Sequence, residues 1–158
     1  MEILYECCCG LDVHKKSVTA CIITPDGKVI RTFGTMTDDI VELVNWIKSE
    51  DCSHVAMEST GVYWKPIYNL LELEGIEVFV VNARHIKAVP GRKTDVKDAE
   101  WIADLLRHGL LKGSYIPSRE QRELRELVRY RKKLIEERSR EISRMQKVYK
   151  VLILNFRQ

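Results

Sequence analysis

The stretch CCCGLDVHKKSVTACIITPDGKVIRTFGT, residues 7–35, decides the fold. It opens with an apolar run, CCCGLDV, turns at the polar corner HKKS, and continues in VTACIIT, where β-branched residues dominate. Pro25, Asp26 and Gly27 are a hairpin turn signal, and KVIRTFGT supplies a third strand. Three strands joined by corners this short predict an antiparallel meander.

Beyond the meander the period changes. Thr37 is placed to cap a helix, DDIVELVNWIKSE, with an acidic first turn and apolar Ile40, Val41, Val44 and Ile47 at helical spacing. HVAMES, residues 54–59, reads as a fourth strand. A helix over 63–74 follows, closed by Gly75. IEVFVVN, residues 76–82, is a fifth strand, apolar enough at its centre to predict burial on both faces. Strands alternating with helices imply right-handed crossovers and parallel pairing, hence an α/β sheet of five strands, mixed in direction. ARHIKAVPGRK then reads as a short helix or turn broken by Pro90 and Gly91, and residues 95–110 as a helix.

Residues 118–156 contain neither Gly nor Pro. Leu124, Leu127, Leu134, Ile135, Ile142, Met145, Tyr149 and Leu152 recur at intervals of three, four and seven, which predicts one long helix or a tight helical hairpin. A single helix would be about 55 Å long at 1.5 Å per residue and could not bury its stripe on so small a domain. It calls for a partner. The natural division is a domain over 1–117 and a helical, coiled-coil-like segment over 118–158.

Composition agrees with a globular chain: 158 residues, 45% hydrophobic and 31% charged. No apolar run approaches the roughly 20 residues that cross a bilayer, and MEILYECCCG lacks the layout of a signal peptide, so a cytoplasmic location is expected. The net charge of +3 is unevenly distributed: residues 119–158 hold thirteen Lys and Arg against six Glu, and the remainder is acidic. Five cysteines, Cys7, Cys8, Cys9, Cys21 and Cys52, raise the question of zinc or disulfides. Three of them are adjacent, and strand neighbours point to opposite faces, so they read as small buried hydrophobes.

Chemistry gathers at the carboxyl ends of parallel strands in sheets of this kind. Asp12 stands near the end of the first strand and Glu58 at the end of the fourth. In the strand order 3-2-1-4-5 these two are neighbours. The stretch KTDVKDAEW, residues 93–101, adds Asp95 and Asp98, whose spacing of three puts both on one helix face, roughly 5 to 6 Å apart at Cβ. Four converging carboxylates repel and are costly to bury unless a cation compensates them. Hard oxygen donors suit Mg²⁺ or Mn²⁺, and two such ions about 3.5 to 4 Å apart form a clamp for in-line attack on a phosphodiester. Each acid also has a structural reading: Glu58 as a cap for the turn after it, Asp95 with Asp98 as a capping box.

Arg84, Lys87, Arg92, Lys93 and Lys97 form a basic surround for phosphate contacts, joined by Lys65, while Arg129, Arg131, Lys132 and Lys133 form a second basic run in the helical tail. Tyr63 and Trp64 are able to stack on unpaired bases, although filling core at the start of a helix is the favoured reading. His14 points to solvent in the favoured reading and assists a metal ligand in the other. Ser59 and Thr60 read as turn or cap residues and lack an accompanying base.

GLDVHK at 10–15, ESTGVYW at 58–64, VVNARHIKAVPGRKTDVKDAEWIADLLRHG at 80–109 and the downstream IPSREQRELRELVRYRKKL together resemble the start of the Piv-like DEDD transposases of insertion sequences, the IS one-ten group. The resemblance extends over nearly the whole chain. It implies an RNase H-like fold similar to the RuvC Holliday junction resolvase, with Asp12, Glu58, Asp95 and Asp98 as the metal-binding and catalytic DEDD set. It further implies recombination of DNA guided by a structured RNA, a homo-oligomer, and a coiled-coil segment after the first domain. Family members continue into a second domain whose serine attacks DNA. That domain is absent here, so the resemblance implies a truncated protein that does not complete transposition alone.

Three other readings stand beside it. An actin-like ATPase or sugar kinase also opens with an Asp on its first strand, but needs a Gly and Ser/Thr-rich phosphate loop where this chain has Val13, His14, Lys15 and Lys16. A stand-alone Holliday-junction endonuclease suits the length. A non-catalytic nucleic-acid-binding and oligomerisation module would leave the acids purely structural.

Overall fold

The structure is a computed structural model of the 158-residue chain. It describes residues 2–91 and 98–156, with side chains as far as residue 154. The chain divides into two compact units, Met1–Tyr115 and Ile116–Gln158.

The first unit opens with the predicted meander, β1 (Cys8–Val13), β2 (Val18–Thr24) and β3 (Gly27–Phe33). Helix α1 (Thr37–Ser49), strand β4 (His54–Glu58), helix α2 (Trp64–Leu73), strand β5 (Glu77–Val81), the short helix α3 (Ala83–Ala88) and helix α4 (Asp98–Arg107) follow. The sheet order is β3-β2-β1-β4-β5. β1 and β3 run antiparallel to β2, whereas β4 runs parallel to both β1 and β5. Mixed pairing and strand order are both as the sequence predicts.

Strand alternation sorts the sheet into two faces. Cys8, Cys21, Ile23, Ala56 and Val81 pack with Ala99, Ile102, Ala103 and Leu106 of α4 in one buried cluster. The opposite set, including Leu11, Ile22, Val55 and Met57, is fully buried, as are Leu43 and Ile47 of α1 and Ile67 and Leu71 of α2. Small residues let α4 approach the sheet closely. A Cβ built on Gly10 would meet the Ala99 carbonyl oxygen at 2.3 Å and the Ala103 nitrogen at 2.4 Å, so only glycine fits there.

Helix ends depart from the sequence reading in informative ways. Thr37 is not the cap of α1 but its first residue. The cap is Met36, whose backbone N–H donates to the Asp39 carboxylate at 3.3 Å. Helix α4 does not run on to Leu110: it ends at Arg107, because Gly109 takes a left-handed φ of 66° and the N–H groups of Gly109 and Leu110 turn back to the carbonyls of Leu106 and Leu105. The same closure ends α2 at Gly75 and α1 at Asp51, the latter a non-glycine residue with φ 55°. β5 is also less buried than its composition predicts. It is an edge strand, with Val78 and Phe79 half-buried and only Val80 and Val81 fully so. The Ser114 N–H donates to the Val80 carbonyl at 2.7 Å and so pairs part of that edge.

The second unit holds α5 (Arg119–Phe156), a single helix of 38 residues rather than a hairpin. Ser118 caps it, its hydroxyl accepting from the Gln121 N–H at 3.4 Å. Pairs such as Arg119 with Glu123 and Arg144 with Glu141 lie along its surface at helical spacing. Leu124, Leu127, Leu134, Ile135, Ile142, Met145, Tyr149 and Leu152 are all exposed. Among the described residues no helix is long and apolar enough to cross a membrane.

Candidate functional site

β1 and β4 pair in parallel with Leu11 opposite Met57, so Asp12 and Glu58 are the next residues on two adjacent strands. Asp12 shares its face with Cys8 and Gly10, and Glu58 shares its face with Ala56, which is the face covered by α4. The strands therefore set the two carboxylates side by side at their carboxyl ends. The Asp12 carboxylate is one-fifth exposed and its Oδ2 stands 3.0 Å from His14 Nε2. Thr60 donates its hydroxyl to Glu58 Oε1 at 2.7 Å. Among the described residues no lysine or arginine pairs with either acid.

The amino end of α4 belongs to this end of the sheet. The Arg107 carbonyl at its other end accepts from the N–H groups of Leu4 and Tyr5, ahead of β1, so the helix runs counter to β1 and begins toward Asp12. Asp98 is its first residue and is exposed. Asp95 lies outside the described residues. Among the described residues no three His, Cys, Asp or Glu side chains converge as a metal site requires, so Asp98 is not drawn into a cluster with the strand-end pair. The strand-end donors are carboxylate oxygens, hard ligands whose chemistry fits Mg²⁺ or Mn²⁺.

Of the basic candidates, those among the described residues that flank the acids or run along the tail fall in two places. Arg84 and Lys87 are exposed on α3, whose cap Asn82 accepts from the Arg84 N–H at 2.9 Å. This helix follows β5 directly, and β5 ends with Val81 opposite Glu58. Arg92, Lys93 and Lys97 lie outside the described residues. Arg129, Arg131, Lys132 and Lys133 are exposed on α5, in the other unit.

Two readings of individual side chains are corrected. Tyr63 and Trp64 do not fill the core: Tyr63 is exposed, and Trp64 is half-buried, donating its indole N–H to the Gly61 carbonyl at 3.1 Å and meeting Tyr68 edge-on at 5.8 Å. His14 is exposed, as expected, yet its ring is engaged with Asp12 rather than directed to solvent alone. The i, i+2 spacing of both His14 and Thr60 from an acid was the available signal, but side chains two apart on a strand carry no preference for bonding until the turn after them is known.

The cysteines are free thiols, four buried and Cys7 half-buried, with Cys7 Sγ 3.1 Å from Cys52 Sγ. Burial, reinforced by neighbouring Cys7, pushes the Cys8 thiol up to about 12. Burial, with the Glu100 charge, pushes Cys21 to about 11. A separate cavity of about 610 Å³ lies between the β2–β3 turn and α4, lined by Lys28, Glu100, Asp104 and Arg107. Lys28 and Glu100 form an ion pair there, missed by the sequence reading. Because Ile23 pairs with Cys8, this cavity sits at the amino end of β1, away from Asp12.

A meander followed by two parallel strands, with acids at the ends of the central pair, defines the RNase H-like fold. RuvC from T. thermophilus, solved in complex with a Holliday junction substrate, superposes over 70% of this chain and 100% of its own with a TM-score of 0.51 at 10% sequence identity, which establishes the shared fold. Residues 9–153 match the transposase family of the DEDD, IS one-ten type, and the chain belongs to that family. The pilin gene-inverting protein of Moraxella lacunata is 29% identical over 103 residues, 60% of this chain and 32% of the relative. The chain thus spans about a third of the length of that relative.

Proposed function

We propose that the chain is the RuvC-like part of a DNA transposase or recombinase that cuts and rejoins DNA strands with the help of divalent metal. Side-by-side placement of Asp12 and Glu58 under the amino end of α4, in a member of a transposase family, is the observation that carries this reading. Asp12, Glu58, Asp95 and Asp98 are the residues that hold Mg²⁺ or Mn²⁺. When bound, the metal supplies activation of the attacking oxygen and stabilisation of the leaving one. The residues of the chain fix the carboxylates on rigid strand ends and bring the helix amino end, with its favourable dipole for anions, toward the phosphate.

Arg84, Lys87, Arg92, Lys93 and Lys97 serve as phosphate contacts. Arg129, Arg131, Lys132 and Lys133 on α5 serve DNA or a structured guide RNA. The exposed apolar positions of α5 pair it with a second copy, giving a homo-oligomer. A cytoplasmic location, where DNA is reached, goes with this reading.

Titration of the chain with Mn²⁺ in a calorimeter tests the core of this reading. Binding by the wild type that is lost in both Asp12→Ala and Asp98→Ala is expected. No binding by the wild type, or unchanged binding in both variants, returns the chain to a nucleic-acid-binding and oligomerisation module whose acids are structural.

A further inference from the structure

Each of the two strand-end acids is held at one oxygen by the residue two positions downstream. His14 Nε2 lies 3.0 Å from Asp12 Oδ2, and Thr60 Oγ1 lies 2.7 Å from Glu58 Oε1. We propose that His14 and Thr60 are positioning residues that orient the Asp12 and Glu58 carboxylates for a divalent cation; this rests on the reading of those acids as metal ligands.

Both donors are anchored by backbone rather than by their own packing. The His14 N–H donates to the Ser17 carbonyl at 2.9 Å, which closes the β1–β2 corner and holds the ring beside Asp12. Ser59, between Glu58 and Thr60, donates its N–H to the Val81 carbonyl at 2.9 Å, extending the β4–β5 ladder by one bond and fixing the chain where Thr60 begins. A carboxylate is an acceptor only, so the His14 Nε2–H and the Thr60 O–H are the donors. Bonded in this way, each acid keeps one oxygen engaged and presents Oδ1 of Asp12 and Oε2 of Glu58, which accept no hydrogen bond among the described residues. One oxygen of each acid would thus be left for a divalent cation, with rotation of the carboxylates already restricted.

His14 and Thr60 are exposed, so neither contributes to the core, and a purely structural role predicts little consequence of removing either one. A positioning role predicts a specific one. Outer partners of metal ligands typically contribute about 10- to 100-fold to metal affinity.

The experiment is Mn²⁺ binding to the 158-residue chain, followed by the loss of the free-ion electron paramagnetic resonance signal, alongside thermal unfolding without metal. His14→Ala and Thr60→Val should each weaken Mn²⁺ binding by about 10- to 100-fold, with the metal-free melting temperature unchanged. His14→Gln and Thr60→Ser, which keep a donor at a similar reach, should restore most of the affinity. The proposal is overturned if the Ala and Val variants bind Mn²⁺ as the wild type does while Asp12→Asn does not bind. It is equally overturned if the donor-retaining variants fail to restore affinity, or if loss of affinity tracks a lowered metal-free melting temperature. Unchanged binding in Asp12→Asn and Glu58→Gln as well would sink the metal site itself, a separate result.

Discussion

Gly10 of β1 lies directly beneath Ala99 of α4, so close that a single methyl group on Gly10 would stand 2.3 Å from the Ala99 carbonyl oxygen. The obstacle is backbone on both sides, and neither partner can rotate away. Strand and helix are thereby locked at a fixed height two residues before Asp12 and one after Asp98.

Gly10→Ala should therefore cost about 1–3 kcal/mol or more, the usual range for overpacking a core. Chemical denaturation should show the lower midpoint. Displacement of α4 should also weaken Mn²⁺ binding although no ligand has changed. A variant with wild-type stability would mean that α4 does not approach Gly10 that closely.

Asp98→Asn should stay folded and lose metal. Asp98 is exposed at the first turn of α4, where a carboxylate adds about 0.3–1 kcal/mol through the helix dipole. Calorimetric Mn²⁺ titration and a melting curve on the same sample decide the matter. Unfolding of the variant would show that the carboxylate mainly starts the helix.

Stability should fall on the alkaline side. Burial raises the thiols of Cys8 and Cys21 from 9.0 to about 12 and about 11, and raises Cys9 as well. Above pH 9 the unfolded chain gives up protons that the native state retains, so the native state loses ground by about 1.4 kcal/mol per pH unit for each such thiol. The full contribution is present below pH 9 and fades as pH climbs toward 11 to 12. Urea midpoints at pH 8 and pH 10 should differ accordingly, with a smaller difference in Cys21→Ala. A pH-independent midpoint would contradict the burial of these thiols.

The apolar positions of α5 should hold copies of the chain together. Leu134→Glu with Ile142→Glu should lower the mass seen by sedimentation equilibrium toward that of a monomer, leaving the melting of the α/β unit intact. Wild-type chain that sediments as a monomer at all concentrations would remove α5 as the oligomer contact.

Much of this architecture could be read from the residues because local signals and the sheet agree. Pro25, Asp26 and Gly27 mark the hairpin, and the run from Cys8 to Val13 fits the central strand it becomes. Adjacent placement of Asp12 and Glu58 follows from strand order alone. What escaped was tertiary. Val78 and Phe79 look buried by composition, but an edge strand has a neighbour on one side only. Leu110 and Leu111 extend the apolar pattern of α4, yet the left-handed turn at Gly109 ends the helix before them. The contact between His14 and Asp12 depends on a corner whose closure by Ser17 has no signature in spacing.

Asp51 closes α1 with a φ of 55°, a conformation glycine adopts freely and other residues adopt at a cost. It is exposed and precedes β4, at the opposite end of that strand from Glu58. The protein therefore carries a margin for improvement remote from its acids. Replacing this one side chain by hydrogen should raise heat resistance by up to about 1 kcal/mol. A lineage, or an engineer, has there a way to offset the burden of a harmful change elsewhere while the strand ends that carry Asp12 and Glu58 stay as they are.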